Sequence, residues 1–396
     1  MNADITAHAT LGSSTAVLIA ADEQRPAPAR LASIDGVRAI LALAVVWDHL
    51  VMQIWPVYVR HIKLSGVSRG LKWTTDHPSP PALFFLLSGF VLSIPVINNG
   101  GRLNRGLRKF YFSRLVRLLA PYYVAILLSL ALIVILIGHP TGTHWDKSVP
   151  VTPAGLMSHL VMMHDVRNPD QINHALWTMA IETKMCLLFP LLILLRARIG
   201  SLRLFLASLA LFLPLSHSLI NTAWEGTRLE YYPLFCMGIL TADIAFNIDK
   251  SEPNWRKIRA FNGKWWPVII VPAGLISALA ARQIVIEYTE CVVLASLFVL
   301  VTGSGGAQLR RILTTPIMNW IGVRAYCIYL IHAPLIQVVW ILLIHHLPLA
   351  PVYQFIALTV VATPFILACA SCFYRFVDTP TIRFIRGRGG APSARV

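Results

Sequence analysis

Charge is scarce in this sequence. Of its 396 residues, 13% are Asp, Glu, Lys or Arg, while 56% are hydrophobic. Soluble domains carry about 25% charged residues, so composition excludes an ordinary soluble domain and points to a multi-span membrane protein embedded in a lipid bilayer. Acidic residues are scarcer still: 18 Asp and Glu stand against 34 Lys and Arg, a net charge of +16 with His neutral. In a soluble chain that balance would suggest nucleic acid; in a membrane chain it marks basic cytoplasmic loops, and no nucleic-acid partner is expected. A disulfide framework is also missing. Cys186, Cys236, Cys291, Cys327, Cys369 and Cys372 all fall in apolar segments. Cys369-Ala-Ser-Cys372 lies inside "FILACASCFY" with no partner pair, and reads as small residues one turn apart rather than a redox or zinc site. The N-terminus lacks the basic stretch and apolar core of a secretory signal. Residues 1–33 are expected to be a flexible cytoplasmic tail.

What is present is a series of apolar runs. Each is close to the 17–25 residues that span a bilayer as a helix. They predict an all-α integral membrane protein with about ten transmembrane helices, near 38–57, 81–98, 118–138, 176–195, 202–221, 231–248, 266–281, 285–303, 320–343 and 353–373. With the N-terminus inside, 24 of the 34 Lys and Arg fall on inside segments and 8 on outside ones. This positive-inside bias places both termini in the cytoplasm; the first outside loop, with four basic residues, is the exception. One membrane domain, 34–386, is expected, followed by a basic cytoplasmic tail, 387–396. The longest outside connection, about 139–175, carries Pro140, Pro150, Pro153 and Pro169 and ends in "DQINHALW". Loops of that length are more often functional than idle. No soluble catalytic domain is evident, so enzyme chemistry would lie in the membrane body.

Ionisable residues inside these runs are the candidates for that chemistry. In "AILALAVVWDHLVMQIWPVY", His49 lies about 16 Å from Arg38 at 1.5 Å per residue, near the middle of a hydrocarbon core roughly 30 Å thick. Glu182, in "ALWTMAIETKMCLLFPLL", enters from the other side to about 10 Å by the same rise. His332, in "CIYLIHAPLIQ", reaches a comparable level just before Pro334. Such groups usually face a bundle interior or a water-filled cavity. The competing reading is a buried polar group hydrogen-bonded between helices; it weighs most for Lys184 and Asp48, since Asp48 is turned about 100° from His49. A histidine near neutrality can take a proton from a hydroxyl and return it. In "GGRLNRGLRKFYFSRLVRLLAPYY", Arg114 and Arg117 lie one turn apart, where they could hold phosphates bidentately.

Seven ordered motifs resemble the membrane acyltransferase 3 family, multi-span enzymes that O-acylate sugars, from about residue 31 to 386. "LASIDGVRAILALAVVWDHL" is similar to its opening, with the arginine at Arg38 and the histidine at His49. "FFLLSGFVLS" resembles its second span, and "FYFSRLVRLLAPYY" its arginine-rich third. "LWTMAIETKMCLLFPLL" places the family tryptophan at Trp177 and glutamate at Glu182. "RLEYYPLFCMGIL", "NWIGVRAYCIYLIHAPL" and "YRFVDTP" follow in order. Ser113, Thr183 and Ala325 stand where the family often has basic, acidic and serine residues.

The resemblance implies an acyl-CoA donor, usually acetyl-CoA, arriving from the cytoplasm, and a carbohydrate acceptor. It implies His49 as general base and Glu182 as a catalytic partner orienting His49 or the acceptor. Arg114 and Arg117, with Arg38 assisting, would hold the CoA phosphates, and Trp177 and His332 would contact substrate. No metal is expected. The expected acceptor is a sugar hydroxyl of an envelope or exported polysaccharide, at a bacterial inner membrane. A sugar on a secreted small molecule such as a macrolide is the alternative acceptor. A proton-coupled transporter or flippase is the alternative class, which an inverted internal repeat would favour; none is evident.

Overall fold

The computed structural model describes residues 29–56, 66, 70, 74, 80–103, 106–166, 169–246, 255–280, 282–303 and 306–389. Residues 1–28 of the expected N-terminal tail and 390–396 of the C-terminal tail lie outside these. So do Arg60, Lys63, Arg69, Lys72, Arg105, Arg167 and Lys250, which contributed to the charge asymmetry. Residues 29–33, expected to be tail, open the first helix.

The chain forms α1 (Ala29–Ile54), α2 (Pro80–Asn98), α3 (Gly106–Leu132), α4 (Pro153–Leu160), α5 (Trp177–Ile199), α6 (Ser201–Ser218) and α7 (Tyr231–Phe246). It continues with α8 (Trp255–Leu279), α9 (Gln283–Thr302), α10 (Ala307–Leu313), α11 (Pro316–Val339), α12 (Pro351–Phe373) and α13 (Thr379–Gly389). No strand occurs among the described residues. Among the described residues nine helices, all but α4, α8, α10 and α13, are long and apolar enough to cross a membrane. The difference from ten is α8, the counterpart of the expected span 266–281. Trp265 there leaves helical geometry (φ −115°, ψ 21°), and Pro267 and Pro272 follow within the helix. Lys264, Asn262 and Gly263 dilute its apolar stretch.

Two apolar cores organise the bundle. One is built mainly from α2, α5, α7 and α9, around Phe90, Phe189, Phe235 and Phe298. The other comes mainly from α1, α3, α11 and α12, around Leu50, Tyr122, Ile328 and Leu358. Membrane helices lack a hydrophobic drive to associate and use small residues to approach closely. The α2–α7 pair does so reciprocally: a Cβ at Gly89 would fall 2.1 Å from the Phe235 carbonyl oxygen, and one at Gly238 2.1 Å from that of Leu86. Gly322 of α11 likewise leaves room for the Asp35 carbonyl of α1. Arg196 of α5 grips Asp243 of α7 through Nε (2.7 Å) and Nη2 (2.5 Å), a buried fork-to-carboxylate pair. The α2–α7 and α5–α7 contacts lie within the first core, while α1 reaches both cores, with Ile34, Val37 and Leu41 in the first and Ala39, Ala42 and Val46 in the second; an open seam lies between them.

The described residues of the connection 139–175 carry short helical turns. A short 3-10 turn, His144–Ser148, precedes α4, whose start is capped by Thr152 Oγ1 accepting from the Gly155 N–H (3.0 Å). A second 3-10 turn, His174–Leu176, leads into α5. Asn173 caps it through the Ala175 N–H (3.2 Å) and donates to the Leu330 carbonyl of α11 (3.1 Å). Ile172, just before, holds φ +68°, a conformation costly for a β-branched residue. Strain of this kind tends to be retained where it positions a working group, and the group it precedes is His174.

Candidate active site

The seam between the cores forms an open cleft. Arg38 and Val45 of α1, Ser88 of α2, Arg114 and Arg117 of α3, Thr178, Glu182 and Cys186 of α5, and Gly322, Tyr326 and Tyr329 of α11 all line it. The helical period explains why. Thr178, Glu182 and Cys186 recur every four residues, and Gly322, Ala325 and Tyr329 every three or four, so each set is one face of its helix. Arg38 also bonds Asp35 (Nη1–Oδ1 2.8 Å), one turn away. The Ser88 hydroxyl donates to Glu182 Oε1 (3.2 Å). Glu182 thus shares the cleft with the three arginines.

Extending the same three faces by one turn leads from Val45 to His49, from Thr178 to His174 and from Tyr329 to His332. The three imidazoles meet. His49 Nδ1 and His174 Nε2 are 3.2 Å apart, and the His49 and His332 rings lie 4.7 Å apart. His144, from the 3-10 turn, packs edge-on against His174 (ring centroids 4.6 Å). His174 Nδ1 and its backbone N–H both meet Ser148 Oγ, at 2.9 and 3.0 Å. His332 Nδ1–H donates to the carbonyls of Tyr329 (2.7 Å) and Ile328 (3.2 Å). Carbonyls only accept, so Nε2 of His332 carries the lone pair; it is buried without a hydrogen-bond partner among the described residues. His49 is the partly exposed member of the group, while His144, His174 and His332 are buried.

Tyr329 stands at the junction between the arginines and the histidines. Its hydroxyl meets Thr178 Oγ1 at 2.6 Å and donates to the Ala175 carbonyl. On the loop side, burial pushes His144 down to about 4, helped by the nearby Lys147 charge. Burial likewise pushes His164 down to about 3, where its ring stacks on His159 (4.2 Å). These loop histidines are therefore neutral at pH 7.

The expected residues fall into two groups. Arg38, Arg114, Arg117 and Glu182 share the cleft, and His49 and His332 meet one turn beyond it. The Glu182 carboxylate accepts from Ser88 and His49 contacts His174, so Glu182 and His49 are not joined to one another among the described residues. Trp177 does not line the cleft. It is turned about 100° from Thr178, and its ring lies against Tyr231 (6.1 Å) with Arg228 at 5.9 Å. His174 and His144 were not singled out from the sequence. The available signal was density: five of the 13 histidines fall within 139–175.

A family model described as an acyltransferase domain, acyltransferase 3, matches residues 31–374. The chain belongs to this family. No curated protein and no solved structure matches it. The matched region of this acyltransferase-family membrane protein contains every residue of the cleft and of the histidine group.

Proposed function

We propose that the protein transfers an acyl group, usually acetyl, from acyl-CoA to a hydroxyl of a sugar in an envelope or exported polysaccharide. The observation that carries this reading is a cleft lined by three arginines and followed, one turn further along its walls, by a histidine group, with Tyr329 between the two. Along α1, the 11 residues from Arg38 to His49 span about 16 Å. A CoA ester has the same polarity, with phosphates at one end and the thioester at the far end of an extended arm. Arg114 and Arg117 bind the diphosphate in fork-like fashion, with Arg38 alongside. Glu182 holds these guanidinium groups in register rather than touching the base.

At the other end, His49 takes the proton of the acceptor hydroxyl. The oxygen attacks the thioester carbon, the C–S bond breaks, and the imidazolium returns the proton to the thiolate, releasing CoA. His174 holds the His49 ring through their 3.2 Å contact. General acid–base assistance of this kind is worth about 10²–10⁴-fold. The positive-inside bias of the basic residues supports an arginine mouth that faces the cytoplasm, in a bacterial inner membrane.

The test is release of free CoA thiol from acetyl-CoA by the purified full chain in detergent, with and without envelope glycans of the host. Acceptor-dependent release that is lost in His49→Ala is the expected result. A folded protein that neither binds nor consumes any of several acyl-CoAs overturns the donor assignment.

A further inference from the structure

One turn beyond the cleft there are more imidazoles than proton transfer needs. A base requires one ring and one partner to hold it; here the buried His144 ring also packs edge-on against His174, its centroid 6.0 Å from that of His49. Resting on the reading of His49 as the base, we propose that His49, His144 and His174 bind a divalent transition-metal ion of the zinc type. Occupancy of this site switches acyl transfer off.

The donor atoms support this. One ring nitrogen from each of the three residues lies within 4.8 Å of the other two. Zinc–nitrogen bonds of about 2.0–2.1 Å in a tetrahedron require nitrogen–nitrogen edges of about 3.3 Å. The His49–His174 edge, 3.2 Å, already meets that requirement. His144 closes the remainder by turning its ring on the short 144–148 turn that carries it. The outer partner that orients a metal-bound imidazole is present too, as Ser148 Oγ on His174 Nδ1. Three neutral nitrogen donors with no carboxylate suit Zn²⁺, Co²⁺, Ni²⁺ or Cu²⁺, and not Mg²⁺ or Ca²⁺, which take oxygen ligands. Lys147, whose charge reaches His144 and His174, opposes a cation. The site therefore binds less tightly than a closed structural zinc centre, as a reversible switch must.

The switch follows from the atoms involved. With the ion on Nδ1 of His49, the proton of the ring sits on Nε2. No lone pair is left to accept the proton of an acceptor hydroxyl, so metal binding and general-base catalysis compete for one imidazole.

Co²⁺ is titrated into the metal-free purified full chain and read by its visible ligand-field absorption, independently of any acyl transfer. Zn²⁺ should displace it at one equivalent, while Mg²⁺ and Ca²⁺ should not. In the thiol-release assay, Zn²⁺ should inhibit and chelation should restore activity. His144→Ala, and His144→Gln as a polar alternative should the alanine variant fold poorly, should retain metal-free activity within about twofold. Both should raise the Zn²⁺ needed for half-inhibition by at least roughly tenfold, as lost ligand support does elsewhere. A native protein with no Co²⁺ spectrum overturns the site, as does a spectrum unchanged in both variants. Activity that disappears on chelation overturns the switch, because the ion would then assist rather than block. If no acyl transfer is found at all, the Co²⁺ titration still decides the metal site, and the acyl-transfer reading is what has failed.

Discussion

The arginine end of the site is built on α1, α3 and α5, the histidine end on α1, α11 and the two 3-10 turns, and the two differ in construction. Arg38, Arg114, Arg117 and Glu182 stand around an open cleft and act through charge. His49, His174 and His332 are packed ring against ring, with orientations set by Ser148 and by backbone carbonyls. A charge-lined cleft suits binding, because guanidinium groups grip phosphate across a range of poses. A packed group suits chemistry, because proton transfer depends on ångström-level placement. In the proposed acyl-transfer reading, donor affinity belongs to one end and rate to the other.

The most direct way to break this division is His49→Ala. Acyl transfer should fall by about 10²–10⁴-fold, with the KM for acyl-CoA little changed, measured by thiol release under saturating acceptor. A variant with native kcat and raised KM would move binding to the histidine end. Next comes the double variant Arg114→Ala/Arg117→Ala. Hydrogen bonds to charged groups are worth about 1.5–3 kcal/mol each, so acyl-CoA binding should weaken by at least roughly tenfold. Isothermal titration with a non-hydrolysable acyl-CoA analogue reads this directly, and kcat at saturation should stay within a few-fold. A smaller effect sharpens the boundary. Glu182→Gln keeps the Ser88 contact but removes the charge beside the arginines, so the donor KM should move more than kcat. The reverse split would place Glu182 with the base, as the motif resemblance suggested.

Much of this was legible in the sequence, and the reasons are physical. A charged or imidazole side chain in an apolar run is conspicuous because bilayer insertion penalises it, which is why His49, Glu182 and His332 stood out. His144 and His174 lie in a connection where polar residues are expected, and nothing in their local sequence reports that they are buried. Their burial comes from Asn173 tying the connection to Leu330, a contact between residues 157 positions apart. Trp177 shows a different limit: a motif gives a position but not a direction, and neighbours on a helix point about 100° apart. α8 shows a third, since Trp265, Pro267 and Pro272 interrupt a run that is otherwise apolar.

The smallest predicted effect separates the two ends by pH. His144 and His164 are held near 4 and 3 by burial, below the ordinary value of about 6.5. Between those limits the unfolded chain binds protons that the folded connection refuses, so stability rises with pH across the window. The contribution of the neutral rings is complete above about pH 6.5 and is lost as the pH falls toward 4. Guanidinium groups do not titrate in this range. Lowering the pH from 7.5 to 5 should therefore loosen 139–175, seen as faster proteolytic cutting there and a lower thermal midpoint in detergent. His144→Gln/His164→Gln, which removes both titrating rings, should flatten the dependence. Binding of the acyl-CoA analogue should survive the same change better than acyl transfer does. If binding and transfer are lost together, the two ends are one cooperative unit and the division of labour between them does not hold.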